Sequence, residues 1–291
     1  ENSQMKKTLI AMAAVAVAGV ASAQVTIYGT VDAGLVNDGT DTSFTSGVNG
    51  TPRIGFRGTE DLGGGLSVAF TVETGFSNAA ESATSIGDRG ARVSMSGGFG
   101  TVELGSSVLS ASFFARAATD PTGTNNYAIA TYAGSTRNDS SINYTSPNIG
   151  GAVVRYSTVL SADSTNTDAV SDISVTYTAG ALTIGAASND DGGTTGKGKS
   201  IGIAYDLGMA KVFGNSVTTG STQVKTTNFG FNVPMGALSL EADFRTTADA
   251  DVDANMVAAQ YALSKATKVT VYRTKIQGSD ASMGVGIRHN F

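Results

Sequence analysis

Cysteine and tryptophan are absent from the 291 residues, histidine occurs once and proline four times. Without cysteine there is no disulfide framework, no thiolate zinc site and no Cys nucleophile. The lone His289 excludes poly-histidine metal sites and argues against Ser-His-Asp catalysis. No catalytic constellation, metal or cofactor is therefore expected, and the chain is not read as an enzyme. Charge is also scarce: 15% of residues carry it, the net value is −5 and the pI is near 4.9. A nucleic-acid binder would show a basic patch, so no nucleic-acid partner is expected. Hydrophobic residues still make up 41%, spread along the chain in short runs, which is a poor match to disorder.

One apolar run is present, at the start. Met5 is followed by Lys6 and Lys7, then by the stretch Thr8 to Val20, then by Ala21-Ser22-Ala23. A positive segment, an apolar segment and an A-x-A signal make an export leader. The run is short of the roughly 20 apolar residues that a spanning helix needs. Residues 5–23 are read as the signal peptide, 1–4 as an upstream remnant and 24–291 as the exported domain. Without Glu1, Lys6 and Lys7 that domain carries −6. No later stretch is long and apolar enough for a spanning helix, so any membrane span is made of strands.

Period-2 alternation fills the exported domain. Val25, Ile27, Val31 and Leu35 alternate with Thr26, Tyr28, Thr30 and Asp32. Leu66, Val68, Phe70 and Val72 do so with Ser67, Ala69, Thr71 and Glu73. Two further runs, 173–177 and 238–244, repeat the pattern, and helical spacing is sustained nowhere. Tight turns rich in Gly, with Pro147 and Pro234 in two of them, separate the runs. Centred on Leu62, Gly98, Ile149, Gly180, Gly208, Met235 and Lys265, they lie 36, 51, 31, 28, 27 and 30 residues apart. Seven turns join fourteen strands, and one strand before and one after them make 16. The remaining connections are eight polar segments read as long loops. Short turns on one side, long loops on the other and an even strand count predict an all-β, antiparallel transmembrane barrel. Closure removes the open edge that lipid does not tolerate.

The gap of 51 locates a long third loop between Gly105 and Arg137. It holds Phe113, Phe114, Tyr127, Ile129 and Tyr132, too apolar for a solvated loop, so an inward fold against the barrel wall is expected. Every basic residue from Gln24 to Tyr156 is arginine. Parity places Ile54 and Phe56 outward and Arg53 and Arg57 in the lumen, and it places Val93 and Met95 outward and Arg92 in the lumen. Arg on the lipid face near the midplane would cost about 2–4 kcal/mol, whereas in the lumen its fixed charge suits an electrostatic wall. On the last strand Met283, Val285, Ile287, His289 and Phe291 face outward. His289 is read as an interface residue. Phe291 fits an aromatic girdle and an assembly signal that the barrel-assembly machinery captures by strand addition.

The sequence resembles Gram-negative general diffusion porins of the betaproteobacterial and neisserial type. The resemblance rests on Gln24 to Gly34, on Arg53-Ile54-Gly55-Phe56-Arg57-Gly58-Thr59-Glu60-Asp61-Leu62-Gly63-Gly64-Gly65-Leu66, on Phe99 to Gly105, on Arg137 with Tyr144 to Gly151, on Leu263 to Thr267 and on Gly286 to Phe291. It implies a 16-stranded barrel with short periplasmic turns, long external loops and a third loop folded into the lumen. It also implies a homotrimer in the outer membrane, among lipid and lipopolysaccharide, through which small hydrophilic solutes and ions diffuse passively. Arg53 matches a wall position facing the loop, and Arg137 matches one just after it. The expected constriction is Arg53, Arg57, Arg92 and Arg137 set against Asp120, with Glu73 and Glu103 nearby. Gly90 and Ser106 stand where the family usually has arginine, so only a weak anion preference is expected. The competing reading is a structural or adhesive barrel closed by its loops.

Overall fold

The computed structural model describes residues 24–80, 85–160, 170–190, 197–220, 222–248 and 252–291. The leader reading of 5–23 and the remnant reading of 1–4 lie outside the described residues. Nineteen strand segments occur among the described residues. The first six are β1 (Thr26–Asn37), β2 (Thr42–Ser46), β3 (Arg53–Gly63), β4 (Leu66–Gly75), β5 (Gly90–Gly97) and β6 (Gly100–Ser106). Two short pieces, β7 (Val108–Leu109) and β8 (Arg137–Asn138), flank helix α1 (Ala111–Thr119). Then come β9 (Ser141–Thr145), β10 (Ala152–Val159), β11 (Val170–Ala179), β12 (Leu182–Asp190), β13 (Gly198–Asp206) and β14 (Lys211–Thr218). The chain ends with β15 (Lys225–Met235), β16 (Leu238–Thr247), β17 (Val252–Ala262), β18 (Thr267–Ile276) and β19 (Ser282–Asn290).

These pieces make 16 wall positions. β7 and β8 pair only with each other, Leu109 opposite Arg137. β2 and β3 share one position, because β1 pairs with β2 over Ala33–Asn37 and with β3 over Thr26–Thr30. All neighbours are antiparallel, and β19 returns to β1 with Thr30 opposite Asn290 and Asn37 opposite Met283. Two further backbone bonds seal the seam: Gly29 N–H donates to the Phe291 carbonyl at 3.0 Å and Phe291 N–H to the Gly29 carbonyl at 3.1 Å. The 16-stranded barrel expected from the turn count is therefore closed.

The two faces of the wall are inverted relative to a protein with an aqueous exterior. Ile27, Ile173, Ile203 and Phe229 point outward and are 50–63% exposed. Asp32, Asp172, Asn215, Asn228 and Asp243 point inward and are 5% exposed or less. An apolar outer band and a polar interior suit a barrel whose outer solvent is lipid.

All seven tight turns fall on one rim, where the sequence placed them. At the first, Gly63, Gly64 and Gly65 all have positive φ, a region that side chains with a Cβ rarely adopt. A register shift between Asp61 and Gly63 accompanies them, and the Asp61 carboxylate accepts the Gly63 N–H at 2.8 Å. The opposite rim is less uniform than expected. Residues 76–89 and 107–140 are long connections, but 219–224, 248–251 and 277–281 are short. Their flanking strands run further than the sequence suggested: Thr246 pairs with Asp253 and Thr247 with Val252. Threonine favours strands, so these polar stretches stay in the sheet beyond the apolar band.

Candidate functional site: the narrow part of the lumen

The third loop folds inward, and its nine-residue helix is the element that the sequence reading missed. The Ser110 hydroxyl caps α1 by accepting the Phe113 N–H at 3.2 Å. Ala111, Ser112, Ala115, Arg116 and Thr119 form its buried side. That side lies on β12 and β13 where Gly185 and Gly202 pair across the sheet. A Cβ at Gly185 would stand 2.4 Å from the Ala115 carbonyl oxygen, and one at Gly202 2.3 Å from Thr119 Oγ1. The two glycines make the flat bay that receives the helix.

Polar contacts tie the loop to most of the far wall. Ser112 N–H donates to Asp172 at 2.8 Å and the Thr119 hydroxyl to Asn215 at 2.7 Å. Arg116 donates to Asn228 at 3.1 Å and to the Thr131 carbonyl at 3.2 Å, and it ion-pairs with Asp120 at 2.6 Å. Asn228 in turn donates to Asp243 at 2.9 Å. Further along, the Tyr127 hydroxyl donates to Glu241 at 3.0 Å. Burial, reinforced by Glu241, pushes this phenol well above its ordinary pKa, so it stays a donor. Tyr127 and Ile129 pack with Val48, Ala254, Met256 and Ala258 into a small apolar core inside the barrel. The inward fold and its burial of Tyr127 and Ile129 agree with the sequence reading.

Across from the anchored side a lumen cavity of about 550 Å³ remains. One side is a basic wall of Arg53, Arg89, Arg92 and Arg288, with Arg137 at the loop's exit. Glu73 stands among them. It accepts from Arg89 at 3.0 Å and from the Tyr28 hydroxyl at 3.0 Å, and it lies 3.7 Å from Arg53. The other side comes from the loop: Leu109, Phe113, Tyr132, Thr136 and residues 123–126, with Asn49 and Gly50 alongside.

Of the residues named from sequence, Arg53, Arg92, Arg137 and Glu73 meet at this opening. Glu103 lies behind Arg92 as its ion-pair partner at 3.1 Å. Arg57 shares the lumen face of β3, but it sits four residues closer to the tight-turn rim and its guanidinium stacks over Tyr28 at 5.0 Å. Asp120 is not a pore-facing acid. It is fully buried, paired with Arg116 and accepting the N–H groups of Thr122 and Gly123 at 2.9 and 3.0 Å. A nine-residue helix sets Arg116 and Asp120 at i and i+4, one turn apart on the same face. The sequence reading had no helix there and so took Asp120 for a free loop charge. Arg137 also serves the backbone, donating to the carbonyls of Ser107 and Arg89.

Arg89 and Arg288 were not placed at the constriction from sequence. Parity already puts Arg288 inward on β19. The register supplies its height: Asp32 lies opposite Arg288, and Thr30, two residues along β1, lies opposite Arg53.

A closed barrel with an apolar outer band, narrowed by its own loop against an arginine wall, defines a β-barrel membrane protein. The chain matches the Gram-negative porin family over residues 9–281 and belongs to it. It is 44% identical over 110 residues to outer membrane porin protein 32 of Delftia acidovorans, a stretch covering 35% of this chain and 31% of that one. It is 38% identical over 112 residues to major outer membrane protein P.IB of Neisseria gonorrhoeae, covering 35% and 32%. The matched stretch thus spans about a third of the length of these curated relatives. Among solved structures, the anion-selective porin from Comamonas acidovorans superposes with a TM-score of 0.70 at 24% identity, over 93% of this chain and 100% of that one. A triple mutant of the Rhodopseudomonas blastica porin gives 0.74 at 18%, over 92% and 100%. These two likenesses speak to the fold. Family membership agrees with the non-enzymatic reading and with a place in the outer membrane.

Proposed function

We propose that the protein forms a water-filled channel in the outer membrane through which small hydrophilic solutes and ions diffuse passively, with a weak preference for anions. The observation that carries this is the opening itself, where five guanidiniums and one carboxylate line a polar lumen beside an anchored loop. Barrels of about 16 strands leave an aqueous channel once side chains are placed. The Comamonas neighbour is described as anion-selective, which supports the sign. Liposomes carrying the refolded protein should swell in sugars up to a sharp size cutoff. Correctly folded protein that swells in none of them would instead support a barrel closed by its loops.

The proposal extends to residues 5–23 as a cleaved export signal, to assembly as a homotrimer, and to an outer surface in contact with lipid and lipopolysaccharide. Support for the lipid contact is the outward apolar band. Phe291 is proposed as the residue read by the barrel-assembly machinery. It also makes the last two backbone bonds of the seam, each worth about 1 kcal/mol net. Deleting Phe291 should therefore sharply reduce folded protein in outer-membrane fractions, while the little that assembles melts only slightly earlier. Normal amounts of the truncated barrel in that fraction would remove the assembly role.

A further inference from the structure

The chemistry of the two sides of the opening differs, and the difference specifies a solute. One side offers guanidiniums, which pair with carboxylates through two parallel hydrogen bonds. The other offers aromatic faces. Phe113 and Tyr132 both line the cavity and stack on each other, with centroids 5.7 Å apart and planes 13° apart. Of the neighbouring aromatics, Phe114 packs edge-to-face with Phe113, centroids 5.8 Å apart, and lies under the Arg155 guanidinium at 4.5 Å, and Tyr127 is buried against Tyr272 at 5.0 Å. Phe113 and Tyr132 stay partly exposed on the cavity lining. The Tyr132 hydroxyl already donates to the Gly123 carbonyl at 2.9 Å. What that residue presents to a passing solute is its ring, not a hydrogen-bond donor. Leu109 extends the apolar strip.

We propose that this opening selects aromatic monocarboxylates, with the carboxylate held by the arginine side and the ring sliding over Phe113 and Tyr132. The inference rests on the open-pore reading. A solute ring laid on the strip removes apolar surface from water on both partners and adds the geometry-dependent gain of stacked aromatics. A cavity of about 550 Å³ holds a single-ring acid with room to move. Acetate has the charge without the ring, cyclohexanecarboxylate has apolar bulk without the π-face, and benzylammonium has the ring with the wrong charge. The expected order of binding is benzoate, then cyclohexanecarboxylate, then acetate, with benzylammonium excluded.

The test is single-channel recording in chloride with each of the four compounds added in turn, followed by reversal potentials with benzoate on one side and acetate on the other. Benzoate should reduce the chloride current saturably at lower concentration than acetate, and the reversal potential should favour benzoate. Phe113→Leu, which keeps apolar bulk and removes the ring, should weaken benzoate binding by roughly two- to tenfold. Phe113→Tyr should restore it. If benzoate and acetate block alike, or Phe113→Leu leaves the benzoate constant where it was, the aromatic selectivity is wrong while the pore stands. If the folded protein passes no current at all, the pore reading itself fails.

Discussion

Removing residues 110–136 and closing the gap with an Asn-Gly turn should raise single-channel conductance severalfold and move the sugar cutoff upward. Leu109 and Arg137 already pair across β7 and β8, so a two-residue hairpin joins them with little change of course. The excised segment carries α1 and the aromatic strip that confronts the arginines. Wall residues that lose a partner, such as Asp172, Asn215 and Asn228, then face water in a wider lumen and are not left orphaned in a dry one. Arg116→Met is the informative contrast. Asp120 would remain fully buried, with Asp243 close by, and breaking one side of a buried ion pair costs about 3–5 kcal/mol. That variant should show unstable, flickering current as the loop leaves its bay, where the deletion shows a large and steady one. Unchanged conductance in a folded, inserted deletion variant would mean that the loop does not set the width.

The wall of this barrel was legible because its code is local. One residue in two must be apolar toward lipid, and each tight turn needs glycine or proline, so strand parity, strand count and the seven-turn rim follow from spacing alone. The inward loop was legible from its surplus length and its aromatics. The helix within it was not. Nine residues give too little periodicity to stand out, and its cap, Ser110, is one serine among many. Missing the helix moved Asp120 from a buried partner of Arg116 to an imagined pore acid. Heights along the barrel axis were hidden for a different reason. Parity says which face a side chain takes, whereas depth depends on the stagger between strands. Arg57 was therefore placed with Arg53, although about 13 Å of strand separates them, and Arg288 was left out, although its register brings it to the opening. The short connections at the opposite rim escaped because threonine and aspartate read as loop in sequence while forming strand ends in the fold.

The wild-type channel should show a modest anion preference that Arg53→Glu together with Arg288→Glu inverts. Residues 24–291 together carry −6, and a reading from net charge would favour cations. Local geometry points the other way. The Debye length is about 8 Å at physiological salt, so acids on distant loops are screened from the cavity, while the five arginines lining it would act at short range on an ion crossing it. Glu73 cannot cancel them, being already engaged with Arg89 and Tyr28 and close to Arg53. The double glutamate variant replaces two positive charges with two negative ones at heights two residues apart. Arg137 is spared, because its guanidinium holds the carbonyls of Ser107 and Arg89 and a change there would disturb the loop as well as the charge. In a potassium chloride gradient the reversal potential should cross from the anion to the cation side, with the Arg53→Gln and Arg288→Gln pair falling between. Raising the salt to 1 M shortens screening to about 3 Å and should shrink the wild-type preference. Arg57→Glu supplies the control. At about 13 Å along the strand it lies beyond a Debye length from the opening, and it should move the potential far less than Arg53→Glu. Equal shifts from Arg53 and Arg57 would mean that selectivity follows total lumen charge, and no shift from the double variant would mean that this wall does not control the current.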